Sequence, residues 1–292
     1  MGLSILSLPQ KREFPHARFE EAVDSAIRHE YPEYMPSEAA QKARIFFHRG
    51  DLDQARHWYE QAVLAARSDA DEAALADSLG NLGNVYALCG RPEEAEACYR
   101  ELLAIQRERH DQLAIGQTLV NLGNLQKDAG RFGPARAHYM EALDLLLRID
   151  DDRSLGLLYA NLGLLDAAEQ QQAKAVESFT QALDYHRRVG DEDGLATTYS
   201  QLGRTFLEMG KLRRAERCLN NASEHFIKLG DEPGEAAVLR LLAEVYIRNA
   251  QPLAARRCLE RVVLIGRRYR LPTLESDHAK LVSLLTTPPT PA

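Results

Sequence analysis

Asn81, Asn121, Asn161 and Gln201 follow one another at forty-residue intervals, and each carries a side-chain amide. A carboxamide donates through its NH2 and accepts through its carbonyl oxygen, so it can pair with both polar groups of a peptide unit. A column of such groups at regular spacing suits the capture of an extended chain by its backbone, whatever that chain's side chains are. The choice runs against local preference, because asparagine is a weak helix former and these residues lie in segments of helical periodicity. The bland alternative is that the amides bond to a neighbouring helix or to water.

Other residues with chemical potential lack the arrangement that their chemistry needs. Cys89, Cys98, Cys218 and Cys258 form no CxxC pair and have no companion histidines at metal-ligand spacing. That argues against a zinc site or a disulfide framework and for a reducing, cytoplasmic setting. The nine histidines are scattered. His138 shares a register with Trp58, Cys98, Ser178, Cys218 and Cys258, and a position whose chemistry varies in this way reads as packing. No HExxH, phosphate loop, GxSxG or dinucleotide fingerprint occurs. The expectation is recognition without catalysis, metal or cofactor.

The amides are positioned by a repeat. At a forty-residue offset one column reads Ala43, Gly83, Gly123, Gly163, Gly203, Ala243, a second is alanine throughout (Ala55, Ala95, Ala135, Ala175, Ala215, Ala255), and a third reads Tyr59, Tyr99, Tyr139, Phe179, Leu219, Leu259. Small residues are needed where two helix backbones approach closely, and the large residue fills the wedge between them. Apolar residues recur at helical spacing on both sides of a central break, as in Leu79, Leu82, Val85 and Tyr86, then Ala95, Tyr99, Leu102 and Leu103. Each unit is therefore an antiparallel helix pair. Gly50, Gly90, Gly130 and Gly210 stop the first helix, since glycine enters the left-handed region without a side-chain clash. Pro92 and Pro252 suit the first turn of a second helix. Asp71, Asp111, Asp151, Asp191 and Asp231 stand where a carboxylate caps the next first helix. Gln170 and Ala250 break the glycine register and predict turns of a different shape or under strain.

Gly83, Tyr86, Ala95 and Tyr99 together resemble the signature of the tetratricopeptide repeat. The usual period is about 34 residues with a closing proline; here it is 40 and the proline is absent. This is similar to the longer-helix subclass of kinesin light chains, Leu-Gly-Asn-rich polarity adaptors and bacterial peptide-pheromone receptors. The resemblance implies an all-α, right-handed α-solenoid of six helix pairs over 36–271, with units at 36–70, 71–110, 111–150, 151–190, 191–230 and 231–271. Segment 1–35, with a helix over His16–Tyr31, and segment 272–292, with a helix over Thr273–Leu285, would cap the two ends. The final TTPPTPA reads as a frayed tail.

In such an array the first helices line a concave groove. The resemblance carries a peptide-holding role to Asn81, Asn121 and Asn161, with Gln201 continuing the column. Around them stand Asn84, Asn124, Lys127 and Asp128, then Leu157, Ala160, Leu164, Ala167 and Ala168, then Arg204, Lys211, Arg240 and Arg248, tempered by Glu208 and Glu244. The expected ligand is a protein or peptide segment with an apolar anchor near Leu164 and acidic residues toward Arg204 and Arg240. The N-terminal GLSILSL is an alternative occupant. The carboxylate-clamp type of the family needs cations in the first units, where Ala40, Gly80 and Val120 stand.

The totals agree with a folded adaptor: 292 residues, 45% hydrophobic and 27% charged. No apolar run has the roughly 20 residues of a membrane helix, the opening lacks the basic region and cleavage site of a secretory signal, and Leu6 stands where myristoylation requires Ser or Thr. No membrane partner is expected. The net charge of −7 conceals an asymmetry: residues 1–203 carry 21 basic and 33 acidic side chains, whereas 204–271 carry 14 and 8. Arg256, Arg257, Arg261, Arg267, Arg268 and Arg270 crowd one segment, which would draw an anionic partner or be a solvated helix face. A self-associating scaffold, forming a homo-oligomer, is the second reading, and a nucleic-acid-linked regulator ranks below it because no helix-turn-helix or stacking module accompanies the arginines.

Overall fold

The computed structural model describes residues 37–286. The expected helix over His16–Tyr31, the GLSILSL segment and the tail beyond Thr286 lie outside these residues. The described residues form thirteen α-helices and no strand. Six are first helices: α1 (Glu38–His48), α3 (Glu72–Leu88), α5 (Gln112–Asp128), α7 (Asp152–Ala168), α9 (Glu192–Glu208) and α11 (Glu232–Arg248). Six are their second helices: α2 (Leu52–Ser68), α4 (Pro92–Glu108), α6 (Phe132–Ile149), α8 (Gln172–Arg188), α10 (Leu212–Leu229) and α12 (Pro252–Tyr269), after which comes α13 (Leu274–Thr286). The chain divides between Ile149 and Asp150 into two compact units, one holding α1–α6 and the other α7–α13. Within each unit, consecutive helices pack on one another.

The turns recur as strictly as the helices. A residue in the left-handed region stands every twenty residues from Gly50 to Arg270, and six of the twelve are not glycine. Gln170 (φ 63°) and Ala250 (φ 54°) take the same turn as Gly130 (φ 71°). The hydrogen bonds are also the same: Arg131 N–H donates to Gln126 O at 2.8 Å, Gln171 N–H to Asp166 O at 2.8 Å and Gln251 N–H to Tyr246 O at 2.8 Å. The turn shape therefore survives loss of the glycine, because closing the helix end and starting the next leaves no other path. The cost is left-handed backbone strain of about 1–2 kcal/mol at each such residue.

Helix starts follow two recipes. Before first helices the aspartate caps directly: Asp71 accepts from Ala73 and Ala74 N–H, Asp111 from Ala114, Asp151 from Ser154, Asp191 from Gly194 and Asp231 from Gly234, all between 2.9 and 3.1 Å. Second helices α4, α8, α10 and α12 have no side-chain cap, and α4 and α12 begin on proline. Asp191 also lies 2.9 Å from the buried His186 Nδ1, whose hydrogen bond holds the Asp191 carboxyl below its ordinary range.

Packing within a pair rests on the small column. A Cβ built on Gly83, Gly123, Gly163 or Gly203 would lie 2.6, 2.3, 2.6 and 2.6 Å from Tyr99, Tyr139, Phe179 and Leu219 respectively. Ala55, Ala95, Ala135, Ala175, Ala215 and Ala255 are wholly buried. Further small residues extend the rule: Gly116 faces Leu146 and Gly156 faces His186 within a pair, while Gly194 facing His186 and Gly234 facing Phe226 separate one pair from the next. At the C-terminal end α13 packs on α12, with Leu281 and Leu284 against Ala243, Ala255 and Leu259, which is the covering role expected for Thr273–Leu285.

Two stability measurements check this account. Gly123→Val should lower the denaturant-unfolding free energy by about 1–3 kcal/mol, because the Tyr139 ring cannot move away from a close-packed contact without strain. Ala250→Gly should raise it by about 0.5 kcal/mol, the relief of left-handed strain less the extra chain entropy that glycine gives the unfolded state.

Candidate peptide-binding face

In the unit holding α7–α13, α9 lies against both α7 and α11, so three first helices present neighbouring surfaces. On α7 the accessible stripe runs Arg153, Leu157, Ala160, Leu164 and Ala168, at the three- and four-residue steps of one helix face. Leu157 and Leu164 are half-buried, and Leu164 packs against the core of its unit. Asn161 sits beneath this stripe, 1% exposed, and its Nδ2 has no hydrogen-bond partner. A sealed, unpaired amide donor costs about 1–3 kcal/mol, so the site holds an unmet demand for an acceptor. On α9, Gln201 is half-buried and Arg204 is exposed.

Arg240 of α11 does not join this surface. Its Nε donates to both carboxylate oxygens of Asp277 at 3.0 and 2.9 Å, and its Nη2 donates to Thr273 Oγ1 at 2.6 Å. Asp277 is 1% exposed. The expectation of an acidic ligand residue at Arg240 is thus corrected: a buried carboxylate needs a full counter-charge, and Arg240 supplies it to the start of α13. Arg248 is likewise engaged, by Glu244 and by Leu207 O at 3.4 Å.

The unit holding α1–α6 shows a different pattern. Asn81 is 7% exposed and donates to Asp77 O one turn back at 2.9 Å, whereas Asn121 is half-buried. Asn84 and Asn124 are core residues. The Tyr99 hydroxyl donates to Asn84 Oδ1 at 2.6 Å, and the Tyr139 hydroxyl to Asn124 Oδ1 at 2.6 Å. Their placement on a ligand-facing surface is therefore corrected. The sequence carried the signal: at the next registers, where Phe179 and Leu219 have no hydroxyl, the amide gives way to Leu164 and Arg204. Lys127 is largely buried and paired with Asp128 at 2.6 Å.

The amide column is thus graded rather than uniform, from a self-bonded Asn81 to an unsatisfied Asn161. Titration tells the same story of packing elsewhere. Burial pushes the thiols of Cys98, Cys218 and Cys258 up to about 11, and protonated thiols are poor nucleophiles and metal ligands. Among the described residues no group of three His, Cys, Asp or Glu could hold a metal ion, and no helix is long and apolar enough to cross a membrane.

Repeated helix pairs with small-residue seams and a partly exposed first-helix face define a class of helical-repeat interaction scaffolds. Residues 37–108, 74–148, 153–228 and 194–268 match the tetratricopeptide repeat family profile, and the chain belongs to that family. Solved structures share the fold. BtubC (BKLC) from P. vanneervenii is 20% identical, with 82% of this chain and 95% of that one covered at a TM-score of 0.67. A putative kinesin light chain from Podosopora anserina is 21% identical, with 66% and 95% covered at 0.54. Rap protein complexed with competence and sporulation factor is 13% identical, with 89% and 79% covered at 0.64. No curated protein matches the sequence.

The tyrosine–asparagine pair gives a direct check on the corrected assignment. Tyr139→Phe leaves Asn124 Oδ1 buried without its donor and should cost about 1–3 kcal/mol in unfolding free energy. Tyr139→Phe combined with Asn124→Leu, the pairing that Phe179 and Leu164 already display, should recover most of that loss.

Proposed function

We propose that this protein is a non-enzymatic adaptor that binds a short segment of a partner protein on the first-helix face of α7 and α9. The observation that carries the reading is the buried, unpartnered Nδ2 of Asn161 beneath the half-exposed Leu157 and Leu164. An apolar side chain of the guest would sit on the two leucines, where apolar contact is worth about 25 cal/mol per Å² removed from water. A small rotation of Leu157 or Leu164, of the kind common at interfaces, then admits a backbone carbonyl to Asn161. Gln201 offers a second amide, and Arg204 is the exposed cation that would meet an acidic residue farther along the guest. The likeness to Rap, solved in complex with competence and sporulation factor, supports this reading at the level of fold.

The test is selection of random twelve-residue peptides displayed on phage against the full chain. Enriched peptides should carry an apolar residue followed by an acidic one. Asn161→Ala should weaken their binding by about tenfold or more, and Leu164→Glu should abolish it, with the helical circular dichroism spectrum unchanged. Absence of enrichment, or binding indifferent to both variants, would sink the proposal.

A further inference from the structure

The arginine-rich segment of α12 divides into two sets. Arg256 pairs with Glu260 at 2.7 Å, Arg261 with Glu235 at 2.9 Å, and Arg268 with Glu232 at 2.7 Å. The last two hold α12 to α11. Arg257 and Arg267 are exposed and enter no hydrogen bond or ion pair among the described residues. Between them on the same helix face stand Leu253, 72% exposed, and Leu264, 56% exposed. At about 100° per residue Leu253, Glu260 and Leu264 fall within roughly 40° of one another, with Arg257 to one side and Arg267 to the other, and the Glu260 carboxylate is already taken up by Arg256. Exposed leucines flanked by two guanidinium groups are a pattern by which helices select an oppositely charged helical partner.

The repeat shows one use of an arginine at the register of Arg267. Arg67 reaches Glu101 at 2.7 Å and Arg107 reaches Glu141 at 3.0 Å, whereas Arg187 pairs with Asp184 of its own helix at 2.7 Å. In the first two cases the glutamate lies thirty-four residues on and is carried by the next second helix. We propose that the exposed face of α12 docks an acidic amphipathic helix of a partner protein, apolar along its centre and carrying Asp or Glu on both edges, one of which meets Arg267 as Glu101 and Glu141 meet Arg67 and Arg107. A second copy of this chain fits poorly, since the residue of α2 at the register of Glu101 and Glu141 is Gln61. This face is separate from that of Leu164 and Asn161, and the inference does not depend on the groove reading.

The probe is a labelled synthetic helix with leucines along one line and glutamates on both flanks, titrated against the full chain by fluorescence anisotropy beside the same peptide with lysines in place of glutamates. The glutamate peptide should bind and the lysine peptide should not. Arg257→Glu with Arg267→Glu should weaken the glutamate peptide by about tenfold or more, and should confer binding of the lysine peptide. That exchange cannot arise from misfolding. Leu164→Glu should leave the glutamate peptide's affinity unchanged, which keeps failure of this surface distinct from failure of the peptide-binding face. Equal binding of both peptides, an unaffected double variant, or binding to phosphatidylserine vesicles or to a single-stranded RNA without binding to the glutamate peptide would overturn the proposal.

Discussion

A ring or a leucine seated on backbone that has no side chain to spare is the contact on which four of the six described helix pairs depend, alanine taking the glycine's place at Ala43 and Ala243. At Gly123 the Tyr139 ring occupies space that a Cβ would need, and Gly83, Gly163 and Gly203 stand in the same relation to Tyr99, Phe179 and Leu219. This one size match fixes the separation and rotation of the two helices. Once the glycine faces its partner, every third or fourth residue on either helix is assigned to the core, and those between are assigned to the outside. Gly194 against His186 and Gly234 against Phe226 extend the same rule to the contact between one pair and the next. Dispersion and burial then act over the buried column of alanines without cavities.

Because each contact is between near neighbours, the chain can repeat one local solution many times and tolerate departures within it. The left-handed residue every twenty positions is glycine in half the turns and an ordinary residue in the rest. Packing on both sides holds the turn, so an unfavourable φ is borne where the surrounding contacts leave no alternative. The aspartate caps work likewise, each satisfying helix-end N–H groups that no backbone carbonyl can reach.

The proposed recognition surfaces lie where this economy leaves a group over. Tyr99 and Tyr139 take up Asn84 and Asn124, Asp277 takes up Arg240, and Glu232 and Glu235 take up Arg268 and Arg261. Among the groups left over are a buried amide donor on α7, the helix whose accessible stripe carries Leu157 and Leu164, and two guanidinium groups beside two exposed leucines on α12. Both combine apolar area, which gives affinity, with an unpaired polar group, which gives direction. A polar residue already bonded at home offers a guest little, because any new bond must replace an old one.

Helix pairs, their boundaries and caps, the small and large columns and the family were legible in the residues, because each is set by neighbours at fixed short spacing and repeated six times. The apolar stripe of Leu157 and Leu164 was legible for the same reason. The fate of individual polar groups was not. Asn81, Asn121 and Asn161 share one register and one residue type, yet one is bonded to its own helix, one is half-open and one is buried without a partner. Periodicity assigns a residue to a face, but the few tenths of an ångström that decide a hydrogen bond depend on what the adjacent helices bring. Arg240 and Arg204 both lie on first helices and read alike as sequence; only the packing of α13, which carries Asp277 to Arg240, separates a structural arginine from an exposed one.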